Sequence, residues 1–84
     1  MYHVYVLESE EDKNLYIGLT DDLERRLTEH NSGKNFSTKS RKPFRLIFYE
    51  TLPTIEEAVE REKFYKSGRG HEVLYKILLK SLPR

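Results

Sequence analysis

The 84 residues leave room for one domain, residues 1–84, and one core; 37% apolar and 35% charged residues imply a compact interior under a heavily ionic surface and exclude a second domain. There is no cysteine, no apolar run near the roughly 20 residues that span a bilayer, and no secretory start in Met1-Tyr2-His3-Val4, so disulfides, thiol chemistry, Cys-based zinc sites and membrane insertion are excluded and a cytoplasmic protein is expected. The net charge of +1 conceals a sorting of charge along the chain: residues 32–50 and 63–84 are basic, residues 1–31 and 51–62 acidic, and two basic blocks folded onto one face would attract phosphate, although ordinary solvated faces explain them equally well.

Val4 and Val6 alternate with His3, Tyr5 and Leu7, which predicts a half-buried strand, and Leu15 to Leu19 reads the same way. The short polar segment Glu8 to Asn14 makes the pair a hairpin. Asp21 followed by Glu24 is an Asp form of the capping box, opening a helix that runs to about His30 and stops at Asn31-Ser32-Gly33. Residues 32–43, with Gly33, Pro43 and alternating Ser and Lys, predict an exposed basic loop before a third strand from about Phe44 to Glu50. Thr54 and Glu57 form a capping box for a second helix ending near Ser67-Gly68, and a last helix from about His71 to Ser81 would bury Val73, Leu74, Ile77 and Leu78. The order is ββαβαα, without a repeat or a linker long enough to separate domains.

Two helices carry charge where apolar side chains belong. Leu23, Arg26, Leu27 and His30 share the stripe of the first helix that should face the core, and Ile55, Ala58, Val59, Glu62 and Tyr65 or Lys66 share that of the second. A buried unpaired charge costs several kcal/mol, roughly, so Arg26 and Glu62 either bridge each other or meet a ligand in a wet cleft. Tyr5 and Tyr16 sit on the two hairpin strands, where tyrosine is ordinarily core. Gly18 leaves a strand face uncovered, as happens where a ligand or backbone approaches closely.

Taken in order, His3-Val4-Tyr5, Tyr16-Ile17-Gly18, Asp22-Leu23-Glu24-Arg25-Arg26-Leu27, Glu29-His30-Asn31-Ser32-Gly33 and Ala58-Val59-Glu60-Arg61-Glu62-Lys63 resemble the GIY-YIG nuclease family, in particular its small stand-alone bacterial members, over roughly residues 2–70. His3 stands where the family has its first glycine, and Leu19 where some members carry lysine. The resemblance implies an α+β fold, a three-stranded antiparallel sheet flanked by helices, and agrees with the element order read from the residues. It also implies phosphodiester hydrolysis with one divalent metal ion, Mg²⁺ or Mn²⁺, and no organic cofactor. Tyr5, or else Tyr16, would help deprotonate the attacking water, Arg26 would stabilise phosphoryl charge, His30 would assist proton transfer or bind phosphate, and Glu62 would hold the metal. Glu62 is the one carboxylate read on an inward stripe, which suits one metal better than two. Tyrosine, with an ordinary pKa near 10, needs positive charge nearby to serve as a base, and Arg26 and the metal are the candidates.

DNA is the expected partner, held through its phosphates by Lys34, Lys39, Arg41 and Lys42, with Phe36 and the hydroxyls of Ser37, Thr38 and Ser40 on the same loop. A catalytically silent nucleic-acid-binding module and a protein-interaction adaptor with a structural Arg26–Glu62 pair remain open alternatives, and the sequence is silent on oligomeric state.

Overall fold

A computed structural model describes residues 1–81. The elements are β1 (Tyr2–Ser9), β2 (Leu15–Thr20), α1 (Leu23–Asn31), β3 (Phe44–Leu52), α2 (Ile55–Lys66) and α3 (Gly68–Ser81). The three strands form one antiparallel sheet in the order β2-β1-β3, so the fold is α+β with the expected ββαβαα order.

The sheet separates two layers of core. On one face Val4, Val6 and Ile17 meet Ala58 and Tyr65 of α2 and Leu74 and Leu78 of α3. On the other, Tyr5, Leu7 and Phe44 pack with Tyr16, Leu23, Leu27 and Leu46, which is the α1 layer. Covering on both faces explains why β1 is not half-buried as its alternation predicted: every residue from Val4 to Ser9 is buried. The register slips between Val6, opposite Phe48, and Leu7, opposite Leu46, so Ile47 is the extra residue of a β-bulge. Ile47 and Phe48 thereby both join the α2–α3 core while Leu46 serves the α1 core.

Helix α1 starts one residue later than the capping box suggested. Asp22 is the N-cap, its carboxylate accepting from Arg25 N at 3.1 Å, whereas Asp21 pairs with the Arg25 guanidinium at 2.8 Å. Its far end is pinned to β3 by Asn31, whose side chain accepts from Phe44 N at 2.6 Å and donates to Phe44 O at 3.1 Å. Thr54 caps α2 as expected, accepting from Glu57 N at 3.2 Å. Ser67 both ends α2 and starts α3, accepting from Gly70 N at 3.1 Å through Oγ and from His71 N at 2.8 Å through its carbonyl. With this cap α3 begins at Gly68, three residues before the expected His71. The first turn of α3 abuts the end of α2 so closely that a Cβ on Gly70 would stand 1.6 Å from the Phe64 carbonyl oxygen. Leu74 and Leu78 are buried as predicted, but Val73 is 37% exposed, because α3 turns a narrower face to the sheet than the stripe implied.

Candidate active site

β1 presents Tyr5 to the α1 layer directly opposite Gly18 of β2. A Cβ on Gly18 would lie 2.4 Å from the Tyr5 hydroxyl oxygen, so the phenol lies across the glycine backbone. The strand face that the sequence left open for an approaching ligand is thus filled by a catalytic candidate of the same chain. Tyr16, two residues earlier on β2, stacks edge-on against His30 with ring centroids 4.8 Å apart and stands 6.3 Å from the Tyr5 ring.

Arg26 and His30, one helical turn apart on α1, converge on that phenol. Arg26 Nε donates to the Tyr5 oxygen at 3.2 Å, His30 Nε2 lies 3.0 Å from it, and His30 Nδ1 lies 2.8 Å from Thr38 Oγ1. Proton placement follows from donor counting. Arg26 can only donate, so the single Tyr5 proton is assigned to His30 Nε2; the imidazole then carries its proton on Nδ1 and donates to Thr38, whose hydroxyl donates to Asn35 O at 3.4 Å. His30 and Thr38 are fully buried, and the neutral, Nδ1-protonated ring leaves no side-chain atom of the series unsatisfied.

Burial raises the Tyr5 pKa above the ordinary tyrosine value; the hydrogen bond and charge of Arg26 oppose this without prevailing, and Tyr16 and Glu62 add to the rise. Arg26 therefore pulls in the expected direction but does not make the phenol a base by itself. His30 is pushed below the ordinary histidine range, first by burial and then by the neighbouring guanidinium, with Glu29 acting the other way. Arg26, held above its ordinary value chiefly by the bond to Tyr5, remains a cation. Its Nη1 donates to Glu29 at 3.1 Å, and among the described residues Nη2 has no hydrogen-bond partner while the side chain is 30% exposed.

Glu62 comes from the other layer. Its side chain, 22% exposed, accepts from Lys66 Nζ at 3.1 Å, and its charge is felt at the Tyr5 phenol. The direct Arg26–Glu62 bridge is not formed; each finds its partner on its own helix, Glu29 and Lys66. Nor is Glu62 the one inward carboxylate. Glu8 is buried and pairs with Arg45 at 2.6 Å, and Glu50 of β3 accepts from Arg61 at 2.8 Å and from the Tyr65 hydroxyl. Glu8 and Glu50 thus pair with arginines from other segments of the chain, whereas Glu62 pairs with Lys66 one turn along its own helix.

No group of three or more His, Asp or Glu side chains converges as a metal cage among the described residues. A single carboxylate that is partly exposed, as Glu62 is, is still a fitting donor for Mg²⁺, which keeps most of its water and takes one or two carboxylates plus substrate phosphate.

Residues 32–43 wrap the α1 layer and are less exposed than predicted, because Thr38 is buried against His30. Thr38, expected to offer its hydroxyl to DNA, is instead the buried partner of His30, and Asn31, quoted only as part of a motif, pins α1 to β3; neither role shows in a periodic stripe. Lys34, Lys39 and Lys42 are exposed, and Lys39 Nζ lies 5.4 Å over the Phe36 ring. Arg41 is committed elsewhere: it donates to Asp12 at 2.7 Å and to Leu15 O at 3.4 Å, and this contact holds the Asp12 carboxyl below its ordinary range. The second basic block, Lys63, Lys66, Arg69, Lys76 and Lys80, is carried by α2 and α3 rather than by the 32–43 loop, and Lys66 is taken up by Glu62; Arg84 lies outside the described residues.

A surface depression of about 700 Å³ follows the outer face of α1 along Asp22, Glu24, Thr28 and Glu29 and touches none of the tyrosines. A second, about 360 Å³, is lined by Leu19, Thr20, Arg26, Glu29 and Ile55, and gives access to the Arg26 guanidinium where β2, α1 and the start of α2 meet.

The pattern of the GIY-YIG catalytic domain matches residues 1–74. A UPF0213 protein of Syntrophus aciditrophicus is 45% identical over 74 residues, covering 86% of this chain and 84% of the relative. Another from Haloquadratum walsbyi is 40% identical over 67 residues, covering 79% and 74%. The solution NMR structure of a UPF0213 protein from Bacillus halodurans superposes with a TM-score of 0.58 at 40% identity, over 99% of this chain and 89% of that one. With the tyrosine, arginine and histidine of its motifs gathered on one face of the family's sheet, the chain belongs to the GIY-YIG catalytic domain family, a family of nucleases.

Proposed function

We propose that this protein, acting as one domain, is an endonuclease that hydrolyses phosphodiester bonds in DNA with one divalent cation, Mg²⁺ or Mn²⁺, held by Glu62. The observation that carries the reading is the unbroken hydrogen-bonded series Arg26–Tyr5–His30–Thr38. It resolves the difficulty of a phenol whose pKa is raised. Tyr5 need not be ionised in the resting protein: its oxygen takes a proton from the attacking water as its own proton passes to His30 Nε2, already in hydrogen-bond contact and neutral near pH 7. Thr38 fixes the imidazole with Nε2 facing the phenol. Arg26 Nη2 is the donor left for a phosphoryl oxygen as negative charge gathers there, and Tyr16 walls the site beside the imidazole. As the water oxygen bonds to phosphorus the P–O bond to the leaving strand oxygen breaks, that oxygen takes a proton from solvent water, and the proton passed to His30 returns to solvent; a divalent cation held by Glu62 would neutralise charge at the phosphate.

Nicking of supercoiled plasmid tests this. The parent protein should relax DNA in Mg²⁺ or Mn²⁺ and not in EDTA, and Tyr5→Phe, Arg26→Ala and Glu62→Ala should each lose on the order of 100-fold or more, as removal of single charge-stabilising groups does elsewhere. Salt-sensitive DNA binding by the parent with no nicking would leave a silent binding module instead. Lys66→Ala, which removes the cation now sitting on Glu62, should tighten Mn²⁺ binding measured by calorimetry; unchanged affinity would move the metal away from Glu62.

A further inference from the structure

Phe36 is 85% exposed, more than any other large apolar side chain described. It is not loose. The flanking turn is braced by Asn35, whose side-chain oxygen accepts from Ser37 N at 3.0 Å and Ser37 Oγ at 2.7 Å and whose carbonyl accepts from Thr38 N at 3.1 Å. The ring is therefore held out into water at the apex of a fixed turn. Lys39 lies over the ring, and Lys34 and Lys42 are exposed on the same loop.

We propose that Phe36 is a stacking platform for an unpaired nucleobase, so that this protein engages DNA where the duplex is interrupted by a gap, a flap or a single-stranded end. The partner in this proposal rests on the nuclease reading above. A base inside a duplex is stacked on both sides and offers a side chain no face; an unpaired base does, and aromatic stacking beside backbone-tracking cations is how single strands are bound without regard to sequence. Position adds to the case. Phe36 is two residues from Thr38, hence at most about 7 Å from it along the chain, and Thr38 touches His30. Nucleotides repeat about every 3.4 Å along a strand, so a base stacked on Phe36 belongs to a nucleotide only a few steps from a phosphate at Arg26. Lys34, Lys39 and Lys42, exposed on the same loop, are the cations that would meet the phosphates of that short stretch.

The chain has no tryptophan, so Phe36→Trp creates a single fluorescent reporter at the platform. Its emission should be quenched by a 40-base-pair duplex carrying a central gap, in EDTA so that the probe stays whole, and not by the intact duplex. In anisotropy titrations of the same probes, Phe36→Ala should weaken binding to the gapped duplex by about 5- to 150-fold, the range spanned by aromatic–base stacking, and leave the intact duplex unchanged. Equal losses on both probes, or none on either, would overturn the stacking role, and an absence of quenching by both would reassign the exposed ring to a protein partner. Cleavage in Mg²⁺ separates this from the underlying reading. Parent and Phe36→Ala cutting gapped and intact DNA alike leaves the nuclease standing and removes the platform. Phe36-dependent gap binding with no cutting by either does the reverse.

Discussion

A methyl group on Gly18 would meet the Tyr5 hydroxyl at 2.4 Å and Cζ at 2.5 Å, and the ring cannot retreat without leaving Arg26 and His30. Gly18→Ala should therefore cost roughly 1 to 3 kcal/mol by overpacking, seen as a lowered Tm, and should lose activity more completely than that instability explains. His30 gives the same cluster a pH signature. Its folded pKa is depressed, so below about pH 6.5 the unfolded chain takes up a proton that the folded one refuses. The stability that the neutral ring contributes is complete above that pH and is lost as pH falls toward the folded value. Tm measured from pH 5 to 8 should fall on the acid side in the parent, and His30→Gln, which keeps hydrogen-bonding atoms but cannot titrate, should flatten the fall. Catalysis separates two roles for Tyr5. If the phenol relays its proton to His30, the rate should drop on the acid side where His30 protonates and level off near neutrality. A rate still climbing toward pH 10 would mean that Tyr5 acts as a preformed phenolate.

The helix α1 displays both kinds of constraint on adjacent residues. Leu27 fills the α1 core, whereas Arg26 bonds to a phenol that keeps His30 as a partner when the guanidinium is gone. Leu27→Ala should thus cost about 2 kcal/mol, the low end for a leucine that is only half-buried, and lower Tm by about 10 °C while sparing activity per folded molecule. Arg26→Ala should leave Tm within a few degrees and remove activity; equal large losses of Tm in both would make Arg26 structural. That contrast was legible in the sequence, because a charge on an apolar stripe breaks a period that the neighbouring leucines obey. The hairpin, the Thr54 cap and the order of elements were legible for the same reason. What escaped depends on contacts distant in the chain. The alternation of β1 does not reveal that a second layer covers its other face. The Ile47 bulge is defined only by its partner strand, and Thr38 and Asn31 act across a loop with no period to break. Glu50 was invisible as an inward carboxylate because the Ile47 bulge shifts the alternation of the residues that follow it.

Across the whole molecule, the tyrosine cluster packs in the α1 layer beside the 32–43 loop, while Lys63, Lys66, Arg69, Lys76 and Lys80 are carried by α2 and α3. A net charge of +1 cannot draw DNA from a distance, so binding depends on which cations are local to the site and unengaged. Arg41 is in the loop by sequence but is bound to Asp12, whereas Lys39 and Lys42 face solvent. For duplex DNA each neutralised phosphate adds about 0.9 to the slope of log affinity against log salt. Replacing Lys39 and Lys42 together by alanine should therefore reduce the slope by up to about two units between 50 and 200 mM salt. Arg41→Ala should leave the slope unchanged and instead loosen the contact between the loop and the β1–β2 turn, lowering Tm slightly. Fluorescence anisotropy with one duplex probe measures all three proteins. A slope that responds to Arg41 but not to the lysines would mean that DNA breaks the Asp12 pair on binding. A slope indifferent to both would place the phosphate contacts on α2 and α3, where Lys63→Ala with Lys66→Ala becomes the next measurement.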